Sequence, residues 1–317
     1  MYIDVFNGDA DGICALQQLR LVNPLDSLLV TGLKRDIGLL SQVSAGEGDK
    51  ITVLDISLDK NRNALMALLD AGAEVTYFDH HFAGNIPQHP RLQRVIDTQP
   101  DTCTSLLVNE SLQGRHLVWA VTAAFGDNLF DSACEAARPL NLSNNKLALL
   151  KKLGTCINYN GYGASLDDLF FPPVDLYKKI KPYEDPFDFI NEDDAYNILL
   201  NGYEEDMLKA TTVNCESENE SSAVYILPDT KWARRVSGIF GNDLAQKYPN
   251  KAHAVLTPKG KDCYQVSVRA PLRNKKGADK LCRQFETGGG RQAAAGINEL
   301  PDSELDNFIG MFKQHFA

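Results

Sequence analysis

The opening part of the chain alternates two hydrophobic periods. "MYIDVF", "SLLVTGL", "ITVLDIS", "EVTYFD" and "RVID" are short runs rich in Val, Ile, Leu and aromatic residues, the signature of buried strands. Between them, "ICALQQLRLV" and "RNALMALLDAG" repeat apolar residues every three or four positions, which predicts amphipathic helices, with Gly72 a natural helix stop. Strands alternating with helices at this spacing predict a parallel sheet covered on both faces. "TSLLVNESLQ", "HLVWAVTAAFG" and "KLALLKKLGTCI" continue as helices.

Residues 164–188 break the pattern, with "FFPP", "KPYEDP" and Asp-rich turns interrupting any regular period. "DDAYNILLNGYEEDMLKATTV" predicts a connecting helix or helix pair, and the polar "NCESENESS" a boundary near residue 220. Beyond it, "AVYILP", "HAVLTP" and "CYQVSVRAP" predict strands. "RVSGIFGNDLAQKY", "GADKLCRQF" and "DSELDNFIGMFKQHF" predict helices. The expected architecture is α/β: a parallel-sheet domain over 1–187, a helical linker over 188–220, and a smaller α/β domain over 221–317.

Charge sharpens this division. The chain of 317 residues carries a net charge of -10. Residues 223–317 hold 15 Lys+Arg against 9 Asp+Glu, a net of +6, which leaves -16 for residues 1–222. An acidic N-terminal part suits a cation site and a basic C-terminal part suits an anionic ligand, while the overall balance argues against wrapping long nucleic acid. Seven cysteines without a C-x-x-C point to a reducing cytoplasm. No apolar run approaches the roughly 20 residues of a membrane span, and "MYIDVFNGDADG" lacks the basic start of a signal peptide.

The candidate chemistry lies at predicted strand ends. Asp9 and Asp11 follow the first strand in "NGDADG", Asp55 follows another in "LDIS", and Asp79, His80 and His81 end "EVTYFDHH". Ligands of open α/β sheets sit at that edge. Carboxylates gathered there repel one another unless a cation neutralises them. Hard oxygen donors mixed with imidazole suit a divalent ion of the manganese type. The plain alternative for any one aspartate is a helix cap or turn, but independent caps need not converge.

The set "DADG", "LDIS", "DHH", Asp127 in "TAAFGDN" and "GGGRQAAAG" resembles the DHH phosphoesterase superfamily, in particular its members with a DHH-associated C-terminal domain. The motifs run in the family's order over nearly the whole chain. The resemblance implies an active site in the cleft between the domains. Two divalent ions, usually manganese, would be held by Asp9, Asp11, Asp55, His80 and Asp127, with Asp55 bridging. His81 would meet the scissile phosphate, and Asp79 would orient the histidines. Arg269 in "SVRAP" would grip a phosphate, beside Gly288, Gly289, Gly290 and Arg291.

Two departures stand out. Val5 and Asn7 occupy positions where relatives place a histidine or an aspartate; Asn7 still offers a neutral amide oxygen. Arg291 replaces the histidine of a "GGGH" motif and brings a forked donor that fits phosphate or the O6 and N7 edge of guanine. The activity implied is two-metal hydrolysis of a linear 5′-phosphorylated dinucleotide, such as the pGpG left when cyclic diguanylate is opened. Alternatives within the family are an adenosine bisphosphate phosphatase and a general short-oligoribonucleotide hydrolase; a pyrophosphatase is disfavoured by "GGGRQAAAG". From another class comes a nucleotide-binding sensor that lost catalysis.

Overall fold

A computed structural model describes residues 1–317, in two compact units, Met1–Asn201 and Gly202–Ala317. The first unit comprises β1 (Tyr2–Phe6), α1 (Ala10–Val22), β2 (Leu28–Thr31), β3 (Lys50–Leu54), α2 (Leu58–Asp70), β4 (Glu74–Asp79) and β5 (Leu92–Ile96). After these come α3 (Thr104–Ser111), α4 (Leu117–Gly126), α5 (Phe130–Ala137), α6 (Asn144–Asn160), α7 (Pro173–Ile180), α8 (Pro186–Glu192) and α9 (Asp194–Thr211). The division into units falls within α9.

The sheet is wholly parallel, in the order β2-β1-β3-β4-β5. Because side chains alternate along a strand, its two faces feed separate cores. Phe6, Leu54 and Phe78 pack with Ile13, Leu16, Trp119, Leu153 and Leu176 on the helix-rich side. Ile3, Val5, Val53, Val75 and Tyr77 pack with Leu65, Leu68 and Leu69 of α2 on the other. The chain leaves β1 and β3 toward opposite faces, so the carboxyl ends of these neighbouring strands open a crevice. An ion pair lies inside this layer: buried Asp4 on β1 accepts Arg20 Nε at 2.8 Å and Nη2 at 2.5 Å, a forked pair that ties α1 to the sheet.

Residues 164–188 are more regular than their prolines and aspartates predict. Pro173 and Pro186 are the first residues of α7 and α8, where a missing N–H costs nothing.

The second unit contains β6 (Cys215–Glu218), β7 (Ser222–Ile226), α10 (Lys231–Lys247), β8 (Ala252–Pro258), β9 (Cys263–Arg269), α11 (Ala278–Cys282), β10 (Gly288–Gly290), β11 (Ala294–Pro301) and α12 (Leu305–His315). Its sheet runs β10-β11-β9-β8-β7-β6, antiparallel except where β7 and β8 are joined through α10. Val224, Leu256, Val266 and Val268 meet Phe308 and Phe312 of α12 in its core. The polar "NCESENESS", expected to be linker, supplies edge strand β6 paired to β7. No helix of the chain is long and apolar enough to cross a membrane.

Candidate metal centre

The loop after β1 carries Asn7, Asp9 and Asp11. Asp9 caps α1, its Oδ1 accepting from Asp11 N at 3.0 Å and Gly12 N at 3.2 Å. The turn is tight: a Cβ on Gly12 would lie 2.2 Å from the Asn7 carbonyl oxygen. Asp11 reaches the start of α3, where its two oxygens accept from Thr104 N and Ser105 N, each at 2.7 Å. Both aspartates therefore do act on helix ends. A carboxylate has about four lone-pair sites, so this leaves each of them able to meet a cation as well.

Asp55 follows β3 with φ +61°, a left-handed backbone rarely taken by a side-chain-bearing residue. Its N–H donates to the Phe78 carbonyl at 3.0 Å, and its Oδ1 accepts Thr104 Oγ1 at 3.2 Å. The strained turn and these bonds fix the carboxylate at the sheet edge.

The two histidines diverge. His80 Nδ1 lies 3.0 Å from the Thr102 carbonyl oxygen. A carbonyl only accepts, so Nδ1 carries the proton and Nε2 faces the carboxylates. Nε2 stands 3.5 Å from Asp55 Oδ1, 3.6 Å from Asp127 Oδ2 and 3.9 Å from Asp11 Oδ2. His81 instead turns Nδ1 to Asp79 Oδ1 at 2.7 Å, while Asp79 Oδ2 accepts Leu58 N at 3.3 Å. Asp79 thus holds His81 and the start of α2. His81 Nδ1 also lies 3.8 Å from Asp55 Oδ1, but Asp79 already occupies that nitrogen.

Asp127, just past α4, completes the cluster. Its Oδ2 faces His80 and its Oδ1 lies 3.2 Å from Lys34 Nζ. Lys34, in the loop after β2, also donates to Asp9 Oδ2 at 2.5 Å and to Asn158 Oδ1 at 2.8 Å.

The electrostatics follow from this crowding. Burial, then the neighbouring Asp11 and Asp9, push the Asp55 carboxyl well above its ordinary value. Burial likewise raises Asp11, against the pull of His80. Burial also disfavours the Asp127 carboxylate, but Lys34 and His80 overcome it and hold its pKa at about 2. Burial lowers Lys34, yet Asp9 and Asp127 more than offset this and leave the ammonium well above its usual range.

Two overlapping groups of side chains could each hold a divalent ion, Asp11 with His80 and Asp127, and Asp55 with His80 and His81, and both draw on His80. An imidazole lone pair facing carboxylate oxygens is unfavourable unless a cation or a proton lies between them. Asn7 donates from Nδ2 to the Lys34 carbonyl at 3.3 Å, and its Oδ1 is buried without a hydrogen-bond partner.

Sequence reasoning missed Lys34, Asn158, Thr102 and Thr104. The signal for Lys34 was its place: "GLKRD" ends a strand at the same sheet edge as the aspartates. Nearby, Tyr159 is fully buried, whereas the Tyr162 ring centroid lies 5.7 Å from Lys34 Nζ.

In the second unit, Gly288, Gly289 and Gly290 form β10 of a hairpin, paired with Ile297, Gly296 and Ala295. Packing alone demands glycine at 288, where a Cβ would lie 1.7 Å from the Cys282 carbonyl oxygen; Gly289 faces open space. Arg291 is exposed. The Arg269 guanidinium donates to Asn242 Oδ1 at 2.5 Å, Ser267 Oγ at 2.9 Å and the carbonyls of Val268 and Gly238 at 3.1 and 3.2 Å, which fastens β9 to α10.

No protein-family model and no curated protein matches the sequence. Solved structures do match: the chain has the fold shared by RecJ and PggH, which are DHH-superfamily proteins. A structure of exonuclease RecJ bound to manganese superposes with a TM-score of 0.63 at 15% identity, over 100% of this chain and 90% of that one. RecJ from Thermus thermophilus in complex with Mn2+ gives 0.65 at 16% identity, this chain covering 52% of it. The pGpG-specific phosphodiesterase PggH from Vibrio cholerae gives 0.60 at 14% identity, over 99% of this chain and 98% of that one. At these identities the likeness establishes the fold, and the fold agrees with the family read from the motifs.

Proposed function

We propose that the chain is a divalent-metal-dependent phosphodiesterase that hydrolyses short linear 5′-phosphorylated nucleotides, with pGpG as substrate and manganese as the preferred ion. The convergence of Asp11, Asp55, Asp127 and His80 Nε2 at the carboxyl edge of the sheet carries this reading. The substrate class is supported by two likenesses. PggH shares the fold over nearly the full length of both chains, and Arg291 is an exposed guanidinium of the kind that pairs with guanine O6 and N7.

In this reading a bound divalent ion supplies positive charge to the phosphoryl oxygens and acidifies water. The chain's residues do the rest. Thr102 locks the His80 ring so that Nε2 stays a donor to the ion. Asp79 holds His81 through Nδ1, and its negative charge favours the protonated ring. His81 then gives a proton to the sugar oxygen that leaves when the P–O bond breaks. Strain at Asp55 and the two N–H bonds to Asp11 keep the carboxylates in place.

Removing the ion tests this directly. Chelator-treated protein should lose hydrolysis of a dinucleotide and regain it with manganese more than with magnesium. Asp55→Ala should cost several orders of magnitude in rate. Full activity in metal-free protein would refute the metal-dependent reading.

A further inference from the structure

The resemblance implies two ions, but the two side-chain groups here that could hold one, Asp11–His80–Asp127 and Asp55–His80–His81, share the His80 imidazole. The position flanked by Asp9 and Asp127 holds the Lys34 ammonium, which has three protons to donate. Three oxygens receive them: Asp9 Oδ2 at 2.5 Å, Asn158 Oδ1 at 2.8 Å and Asp127 Oδ1 at 3.2 Å. That is an oxygen shell of the kind a hard cation takes, filled from within the chain.

We propose that Lys34 replaces one metal ion: the chain binds a single divalent cation among Asp11, Asp55, His80 and Asp127, and the Lys34 ammonium is the fixed second positive charge beside Asp9. The proposal rests on the reading of the carboxylate cluster as a metal centre and sets its stoichiometry.

Several observations support it independently. The lysine is held at both ends. Its backbone N–H donates to the Gly161 carbonyl at 2.9 Å, and its own carbonyl accepts Asn7 Nδ2 at 3.3 Å. Its side chain is only 26% exposed, so it is an inserted group and not a surface arm folded back. Asp127 straddles the two positions, one oxygen on the ammonium and the other 3.6 Å from His80 Nε2. It, rather than Asp55, is the carboxylate that spans both cations. The neighbouring strand end adds no further charge, since Val5 is buried and apolar and Asn7 is neutral. Asp9, Asp11, Asp55 and Asp127 carry four negative charges if all are ionised, and one divalent ion with Lys34 offsets three. A second ion would have to displace the ammonium from the Asp9 oxygen it already occupies.

The two cations then differ in what they do. An ammonium with all its protons engaged contributes charge and position. It neither coordinates water nor leaves with a chelator, so all water acidification falls to the single ion.

Metal counting decides the matter. Metal-free protein is refilled with excess manganese and desalted. Its metal content is measured by mass spectrometry, and its electron paramagnetic resonance spectrum is recorded. One manganese per chain, with the hyperfine pattern of an isolated ion, is the expected result. Lys34→Ala should take up a second ion and show exchange coupling, whereas Lys34→Arg should stay at one. Two coupled ions in the unmodified protein would overturn the lysine proposal while leaving the metal centre intact. No bound ion would overturn the metal centre itself. An alanine variant that folds by circular dichroism yet still binds one ion would show that Lys34 does not occupy a cation position. Should that variant not fold, the count on the unmodified protein still decides.

Discussion

Replacing Asp79 by asparagine isolates the role of His81 from that of the metal ligands. Asp79 is fully buried, and its two oxygens serve different partners: Oδ1 meets His81 Nδ1 at 2.7 Å and its backbone N–H at 3.1 Å, and Oδ2 accepts Leu58 N at 3.3 Å. The amide has one acceptor and one donor where two acceptors are required. If its oxygen stays on His81, its NH2 opposes the Leu58 N–H; if it flips, the protonated form of His81 loses its counter-charge. A hydrogen bond to a charged partner contributes about 1.5–3 kcal/mol. At about 1.4 kcal/mol per decade, Asp79→Asn should lower kcat roughly ten- to hundredfold. The unpaired Leu58 N–H should cost a further ~1–3 kcal/mol of stability. Steady-state kinetics at saturating manganese, a metal count and a denaturant titration together measure these effects. The expected pattern is a lower kcat, a nearly unchanged KM and full metal content. A raised KM with normal kcat would mean that His81 only binds substrate, and lost metal would mean that the Asp79–His81 pair holds the ion.

Three other perturbations probe the rest of the account. Asp4→Ala should destabilise the chain by about 3–5 kcal/mol in a denaturant titration, because Arg20 is left charged and buried without its forked partner. Buried His253 has no hydrogen-bond partner on either ring nitrogen, and burial lowers its pKa from 6.5 to about 4. The unfolded chain therefore binds a proton there that the folded chain refuses. Stability should fall by on the order of 2–3 kcal/mol as pH drops from 6.5 to 4, and His253→Phe should remove that slope. Arg291→Ala should raise KM for a guanine dinucleotide more than it lowers kcat; equal KM for both proteins would remove Arg291 from recognition.

Strand ends were legible because the period of two and the aspartates after it sit in the same short stretches. "EVTYFD" ends at Asp79 in the structure, as its pattern requires, and the following histidines land on the crevice. The lysine was not legible, because one charged residue in "GLKRD" carries no local pattern, and its partners Asp9, Asp127 and Asn158 come from three other segments. The helices over Pro173–Ile180 and Pro186–Glu192 were hidden by prolines that start them rather than break them. Edge strand β6 was hidden by its polarity: its residues alternate between half-buried and exposed, and an exposed edge favours polar side chains. The glycines of "GGGRQ" were visible, but the hairpin they form and the Cys282 carbonyl that demands Gly288 were not.

The most direct measurement of the central claim is turnover by the purified chain, stripped of metal and refilled with manganese, on pGpG, a hexanucleotide and adenosine bisphosphate in parallel. The expected result is that pGpG is converted to GMP, much faster than the hexanucleotide is cut or the bisphosphate loses phosphate, and only with the ion present. Comparable rates on the hexanucleotide, a preference for the bisphosphate, or tight pGpG binding without hydrolysis would contradict it.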